Sequence, residues 1–134
     1  MKAKAKRHTV LVVDDEPAVL LTYRMILDQQ DYQVLTAGSS AEAMQALGEH
    51  PVDLLLCDLS LEEQQSGFEV IDFARRQRPL VRSVLLTGYA SKDVSDRAEK
   101  SGVSVLFKPT DIQEFLATIK AQLRISDEQN KKIG

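Results

Sequence analysis

Five short apolar runs punctuate the chain: "TVLVV" (9–13), "YQVLTA" (32–37), "VDLLLC" (52–57), "RSVLLT" (82–87) and "VSVLF" (103–107). Three of them are continuous rather than alternating. An alternating strand buries one face, whereas a continuously apolar strand needs cover on both. That requirement predicts a parallel sheet held between two layers of helices. The intervening segments supply the helices. "PAVLLTYRMILDQQ" begins at Pro17, where a first helical turn tolerates the missing amide hydrogen. "SAEAMQALGEH" follows Ser39 or Ser40 as cap, and "GFEVIDFARRQR" stops before Pro79. "SKDVSDRAEKSG" ends at Gly102 and has little apolar surface beyond Val94 and Ala98, which makes it the helix easiest to displace. "TDIQEFLATIKAQLR" follows Thr110 as cap and carries Ile112, Phe115, Leu116, Ile119 and Leu123 on one face. The pattern is an α/β, doubly wound five-stranded parallel sheet in one domain over residues 8–124. Residues 1–7 read as a basic N-terminal extension. Residues 125–134 read as a polar C-terminal tail that frays or starts a linker.

Charge and composition narrow the function. A net charge of -3 and a pI near 5.4 leave no broad basic field for direct nucleic acid binding. Lys2, Lys4, Lys6 and Arg7 form the one basic run, which a solvated chain start explains. The single cysteine, Cys57, permits no intrachain disulfide and reads as a small core residue. The first apolar run is too short for a signal peptide, and no run has membrane-spanning length. A cytoplasmic location without membrane insertion is the expectation.

In a doubly wound sheet, sites form beyond the carboxyl ends of the strands. Here those ends carry Asp14 and Asp15, then Asp58, Thr87 and Lys108. If the strands are parallel, these groups converge on one edge. Three carboxylates in one pocket repel one another and require a compensating cation, either Lys108 or a divalent ion. An oxygen-only site of carboxylates, a carbonyl and waters suits Mg²⁺. The competing reading gives Asp14 and Asp15 the task of capping the first helix, for which one acid would suffice. A carboxylate beside Mg²⁺, a hydroxyl and a lysine can attack a phosphoryl group. Asp58 would be the nucleophile, with Thr87 and Lys108 holding the equatorial oxygens.

The segments "VLVVDDEPAVLLTYRMIL", "DLLLCDLS", "SGFEVIDFARR", "VLLTGYAS" and "VLFKPTD" together resemble the receiver domain of bacterial two-component response regulators over residues 8–124. The resemblance implies a flavodoxin-like (βα)5 fold with strand order 2-1-3-4-5. It implies that Asp58 is the phosphoacceptor and that Asp14, Asp15, Asp58 and the backbone carbonyl of Ser60 hold Mg²⁺. Thr87 and Lys108 would engage the phosphoryl group once it is in place. Further implications are a sensor histidine kinase or histidine phosphotransfer protein as donor, and an unknown downstream protein or fused output domain as target. Such a domain catalyses its own aspartyl phosphorylation and slow autodephosphorylation, and is not a conventional turnover enzyme. Its output surface would be the fourth helix, fifth strand and fifth helix.

Two features depart from the family pattern. "DLSLEEQQSG" has Leu61 and Glu62 where Met and Pro are common, and Gly67 comes nine residues after Asp58 rather than eight, so the loop is one residue longer. Its acids, Glu62 and Glu63, either add negative charge near the pocket or point into water. Second, the position three before Lys108, commonly Tyr or Phe, is Val105. Tyr89 is a candidate substitute gate, and Phe107 reads as core. These departures leave room for an alternative, a phosphorylation-independent receiver-like interaction module. A hydrolase with an aspartate nucleophile is disfavoured because its Asp-x-Asp motif belongs on the first strand.

Overall fold

The computed structural model describes residues 7–63, 66–88, 91–108 and 111–133. Five strands and five helices alternate: β1 (Thr9–Val13), α1 (Pro17–Asp28), β2 (Gln33–Ala37), α2 (Ser40–Glu49), β3 (Leu54–Asp58), α3 (Ser66–Gln77), β4 (Arg82–Thr87), α4 (Lys92–Ser101), β5 (Ser104–Phe107) and α5 (Ile112–Ile133). All strand pairings are parallel, in the order β2-β1-β3-β4-β5. This is the doubly wound flavodoxin-like arrangement that the continuous apolar runs demand.

Alternation along each strand divides the interior in two. Val10, Val12, Leu54, Leu56, Val84, Leu86 and Leu106 meet α1 and α5 through Leu27, Phe115, Ile119 and Leu123. Leu11, Val13, Leu55, Cys57 and Leu85 meet α2, α3 and α4 on the other face. Central β1 is buried throughout. Each fully buried Leu or Val contributes about 1.5–3 kcal/mol relative to an exposed one. Cys57 is wholly buried, and burial pushes its thiol far above the usual range, with Asp58, Asp14 and Glu62 adding to the effect. It is the small core residue expected.

Local signals set most boundaries. Pro17 opens α1. The Ser39 side chain accepts the Glu42 amide at 3.1 Å, which settles the α2 cap on Ser39. Gly102 ends α4 at φ 67°, the left-handed region that glycine enters at least cost, and its amide reaches the Ala98 and Glu99 carbonyls. Among the described residues, no helix is long and apolar enough to cross a membrane.

Several expectations need correction. The run from Ile125 does not fray; α5 continues through Ile133. Ser126 in that stretch is buried, and Asp127 Oδ1 lies 2.9 Å from His8 Nε2. Polar composition alone concealed a helix that the body supports. Ile112 lies on the apolar face expected of α5 yet is 54% exposed, at the first position of the helix. The cap of α5 is supplied by Asp111, whose carboxylate accepts the Glu114 amide at 3.1 Å. Thr110, given that task from sequence, lies outside the described residues, as do Tyr89 and Pro109. Phe107, read as core, is 46% exposed because it closes an edge strand. At the other terminus, Arg7 is pinned rather than loose. Its guanidinium donates to the Tyr32 carbonyl at 2.8 Å and to the Asp31 carbonyl at 3.3 Å.

Candidate phosphoacceptor site

The parallel registers bring the predicted groups to one edge. Asp14 follows β1 directly, Asp58 ends β3, Thr87 ends β4, and Lys108 follows β5. Asp58 pairs across the sheet with Leu86, one residue before Thr87. The Lys108 amide donates to the Thr87 carbonyl at 2.8 Å, fixing the last residue of β5's exit to the end of β4.

The Lys108 ammonium joins two acids. Nζ lies 2.9 Å from Asp14 Oδ2 and 3.1 Å from Asp58 Oδ1. The side chains are 26%, 1% and 14% exposed for Lys108, Asp14 and Asp58. Burial alone would lower the lysine's pKa, but hydrogen bonds and charge from Asp14 and Asp58 raise it on balance. Asp58 is raised as well. Burial is the main cause; Lys108 opposes it, and the charges of Asp14 and Asp15 reinforce it. The asymmetry is one of stoichiometry: one cation faces several anions, so the lysine is well satisfied and the aspartate is not.

Asp14 performs both tasks considered from sequence. Its Oδ1 accepts the Glu16 amide at 3.0 Å at the entry to α1, while its Oδ2 holds Lys108. Asp15 is exposed beside it. The side-chain oxygens of Asp14, Asp15 and Glu16 lie within 4.8 Å of one another. Glu16 is thus a possible cation ligand that sequence reasoning passed over, although "DDE" was the visible signal. The Asp14, Asp15 and Glu16 oxygens could hold a metal ion, and an all-oxygen set suits a hard cation. Thr87 is buried, and Ser60 is exposed on the loop beyond Asp58. Tyr23 of α1 stacks on Phe115 with centroids 4.9 Å apart, and burial raises its pKa, with Lys108 opposing and Asp14 and Asp58 reinforcing.

The loop after Asp58 is tightly closed. A Cβ on Gly67 would stand 2.5 Å from the Asp58 carbonyl oxygen, so only glycine fits this approach. The Gly67 amide donates to the Leu59 carbonyl at 2.7 Å, and the Leu61 amide donates to Ser66 Oγ at 2.8 Å. Glu62 is exposed, as the solvated reading has it, but it is also held: its carboxylate accepts both the amide and the hydroxyl of Ser40. Those bonds, the hydroxyl's first, hold it below the usual carboxylate range. Val105 is half-buried against the α2–α4 side of the core. Phe107 shares its side of β5 and pairs directly with Thr87 in register.

The family model described as the response regulator receiver domain matches residues 10–120. The transcriptional regulatory protein KdpE of Mycobacterium tuberculosis is 36% identical over 115 residues, covering 86% of this chain and 50% of that protein. The alginate biosynthesis transcriptional regulatory protein AlgB of Pseudomonas aeruginosa is 34% identical over 121 residues, covering 90% of this chain and 27% of AlgB. The chain therefore spans from about a quarter to half the length of these relatives. A crystal structure of a CheY-like response regulator receiver domain protein from Methanospirillum hungatei superposes with a TM-score of 0.86 at 27% identity, covering 92% of this chain and 99% of that one. The chain belongs to the response regulator receiver domains, the phosphoacceptor switches of two-component signalling, which catalyse their own aspartyl phosphorylation and its slow hydrolysis.

Proposed function

We propose that Asp58 is the residue that accepts the phosphoryl group, with Asp14, Asp15, Asp58 and the Ser60 carbonyl holding Mg²⁺ and Thr87 and Lys108 receiving the new charge. The observation that carries this reading is the single ammonium shared by Asp14 and Asp58 at the strand ends. Glu16 joins the acids able to reach the ion.

An Asp58 oxygen attacks phosphorus in line with the leaving group. With a phosphohistidine donor the P–N bond breaks and the imidazole departs with the electron pair. Held by these residues, Mg²⁺ would supply charge neutralisation for the phosphoryl group. Asp58 is suited to the attack because burial and its acidic neighbours keep its charge weakly solvated. Lys108 already contacts the nucleophile, and can follow the charge to the phosphoryl oxygens while remaining near Asp14. Thr87, buried at the end of β4, then gains a hydrogen-bond acceptor, which draws its loop inward.

The donor would be a sensor histidine kinase or a histidine phosphotransfer protein, in keeping with the regulators among the relatives. The target is a downstream protein or a fused output domain. A cytoplasmic location fits the single reduced, buried cysteine.

Intact mass after incubation with acetyl phosphate and Mg²⁺ tests the assignment. One added phosphoryl mass is expected, absent from Asp58→Asn and from an EDTA control. Modification of Asp58→Asn at the parental rate and position would overturn it. A protein unresponsive to both acetyl phosphate and beryllofluoride would instead favour constitutive, phosphorylation-independent binding.

A further inference from the structure

The lengthened loop after Asp58 is anchored from outside itself. Glu62 Oε1 accepts the Ser40 amide at 2.7 Å, and Oε2 accepts the Ser40 hydroxyl at 2.7 Å. Ser40 is the first residue of α2, and its amide is one of the groups that a helix leaves without an internal partner. Ser39 serves the Glu42 amide from within the chain segment, so Glu62 completes the cap from 22 residues away. A carboxylate is favoured there by the helix dipole.

This anchor bears on Ser60. On the Asp58 side, the backbone is held by the Leu59 amide on the Leu86 carbonyl at 2.8 Å and by the Gly67 amide on the Leu59 carbonyl at 2.7 Å. On the far side, it is held by Ser66 Oγ at the Leu61 amide and by Glu62 on Ser40. Ser60 lies between the two sets. The bonds at Leu59, Leu61 and Gly67 close the loop on its own strand and helix. Glu62 ties it to α2.

We propose that Glu62 is a positioning residue: its two-pronged hold on Ser40 fixes the loop so that the Ser60 carbonyl stays turned toward the acid pocket. The inference rests on the assignment of Ser60 as a Mg²⁺ ligand above. The Glu62 carboxylate stands at the N-terminus of α2, where the helix dipole favours it. Outer supports of this kind commonly change metal affinity by about tenfold or more when removed.

Calorimetric titration of the unphosphorylated protein with Mg²⁺ tests it, alongside hydrogen exchange at the Ser40 amide and urea unfolding to verify the fold. Glu62→Ala is expected to speed Ser40 exchange and to raise the Mg²⁺ Kd about tenfold. Ser40→Ala keeps the amide bond and is expected to raise it about threefold, since one of two bonds survives. Glu62→Asp keeps the charge but falls short of Ser40, and should behave like Glu62→Ala. Parent-like Mg²⁺ affinity in Glu62→Asp would assign the effect to charge and overturn the proposal. An unchanged Kd in Glu62→Ala, with Ser40 exchange accelerated, would reduce the contact to a helix cap. Unchanged Ser40 exchange would show that the contact does not form in solution. A parent that binds no Mg²⁺ removes the site assignment together with this inference, whereas binding by the parent and by every variant alike removes this inference alone.

Discussion

Asp53 and Asp58 bracket β3, and their surroundings differ in kind. Asp53, 3% exposed, precedes the strand. Its Oδ2 accepts the Thr9 amide at 2.8 Å, and its Oδ1 lies 3.7 Å from the Arg78 guanidinium. Arg78 also donates to the Val52 carbonyl at 2.8 Å. One acid meets one base and one backbone donor, and the charge is balanced. At the other end, Asp58 and Asp14 share the single ammonium of Lys108, with Asp15 and Glu16 close by. There the charge is left in excess. The balanced end holds the sheet to its neighbours. The unbalanced end stores unfavourable charge that a cation or a transferred phosphoryl group can reorganise.

The same truncation should therefore act in opposite directions. Asp53→Ala leaves Arg78 without its acid and the Thr9 amide without an acceptor, and is expected to cost about 2–3 kcal/mol in urea unfolding. Asp58→Ala removes a carboxylate whose pKa is raised chiefly by burial. An acid with a raised native pKa lowers stability as pH climbs from its ordinary 3.8 through the native value, and the deficit persists above. Asp58→Ala is thus expected to gain up to about 1 kcal/mol at pH 7, since mutation removes that deficit but also a lysine contact. The gain should vanish below the ordinary carboxylate range. Two losses of similar size would erase the contrast.

The sequence carried one half of this contrast better than the other. Strand-end acids, hydroxyl and lysine were legible because a parallel α/β sheet sends every carboxyl end to one edge. The continuous runs at β1, β3 and β4 announced that sheet. Partnerships away from that edge were not legible. Lys108 was legible as a cation for the strand-end acids and does meet Asp14 and Asp58, but the hold of Glu62 on Ser40, 22 residues away, was not. No local pattern encodes such contacts. Phe107 and Ile112 misled because hydrophobic identity does not reveal that a strand is at the sheet edge or that a residue opens a helix in solvent. The segment after Arg124 misled for the opposite reason. Polar residues there keep a helix because a few of them, Ser126 among them, face the body.

Replacing the bases probes the contrast from the other side. Lys108→Ala strands the buried Asp14 carboxylate, and a loss of about 2 kcal/mol is expected, below the full cost of breaking a buried pair because the lysine is partly exposed. Mg²⁺ should restore much of that loss by binding the native state. It should stabilise Arg78→Ala, whose lesion lies at the balanced end, no more than it stabilises the parent. Because Asp14 and Asp58 raise the Lys108 pKa, its stabilising contribution is complete below the ordinary 10.5 and is lost as pH rises through the higher native value. The gap between parent and Lys108→Ala should close over that alkaline range. The variant should still accept a phosphoryl group from acetyl phosphate, since Asp58 remains, but with a weaker change in conformation. A parent-like conformational response would remove Lys108 from the role assigned to it.

The smallest effect belongs to the balanced end. His8 immediately precedes Thr9, whose amide holds Asp53, and its Nε2 lies 2.9 Å from Asp127 Oδ1 on the α5 extension. The two side chains are 28% and 53% exposed, so the contact is worth no more than about 0.5 kcal/mol. Asp127→Ala should leave global unfolding almost unchanged and speed hydrogen exchange about twofold over 125–133, the factor that such an energy gives. Exchange over 112–123 should not move, because Phe115, Ile119 and Leu123 are locked in the core. Acceleration spreading into that buried part would mean that the extension and the core helix open as one unit, making the His8 contact a support of the whole fold. No acceleration at all would place the hold on the extension in the buried Ser126 turn rather than in the His8–Asp127 contact.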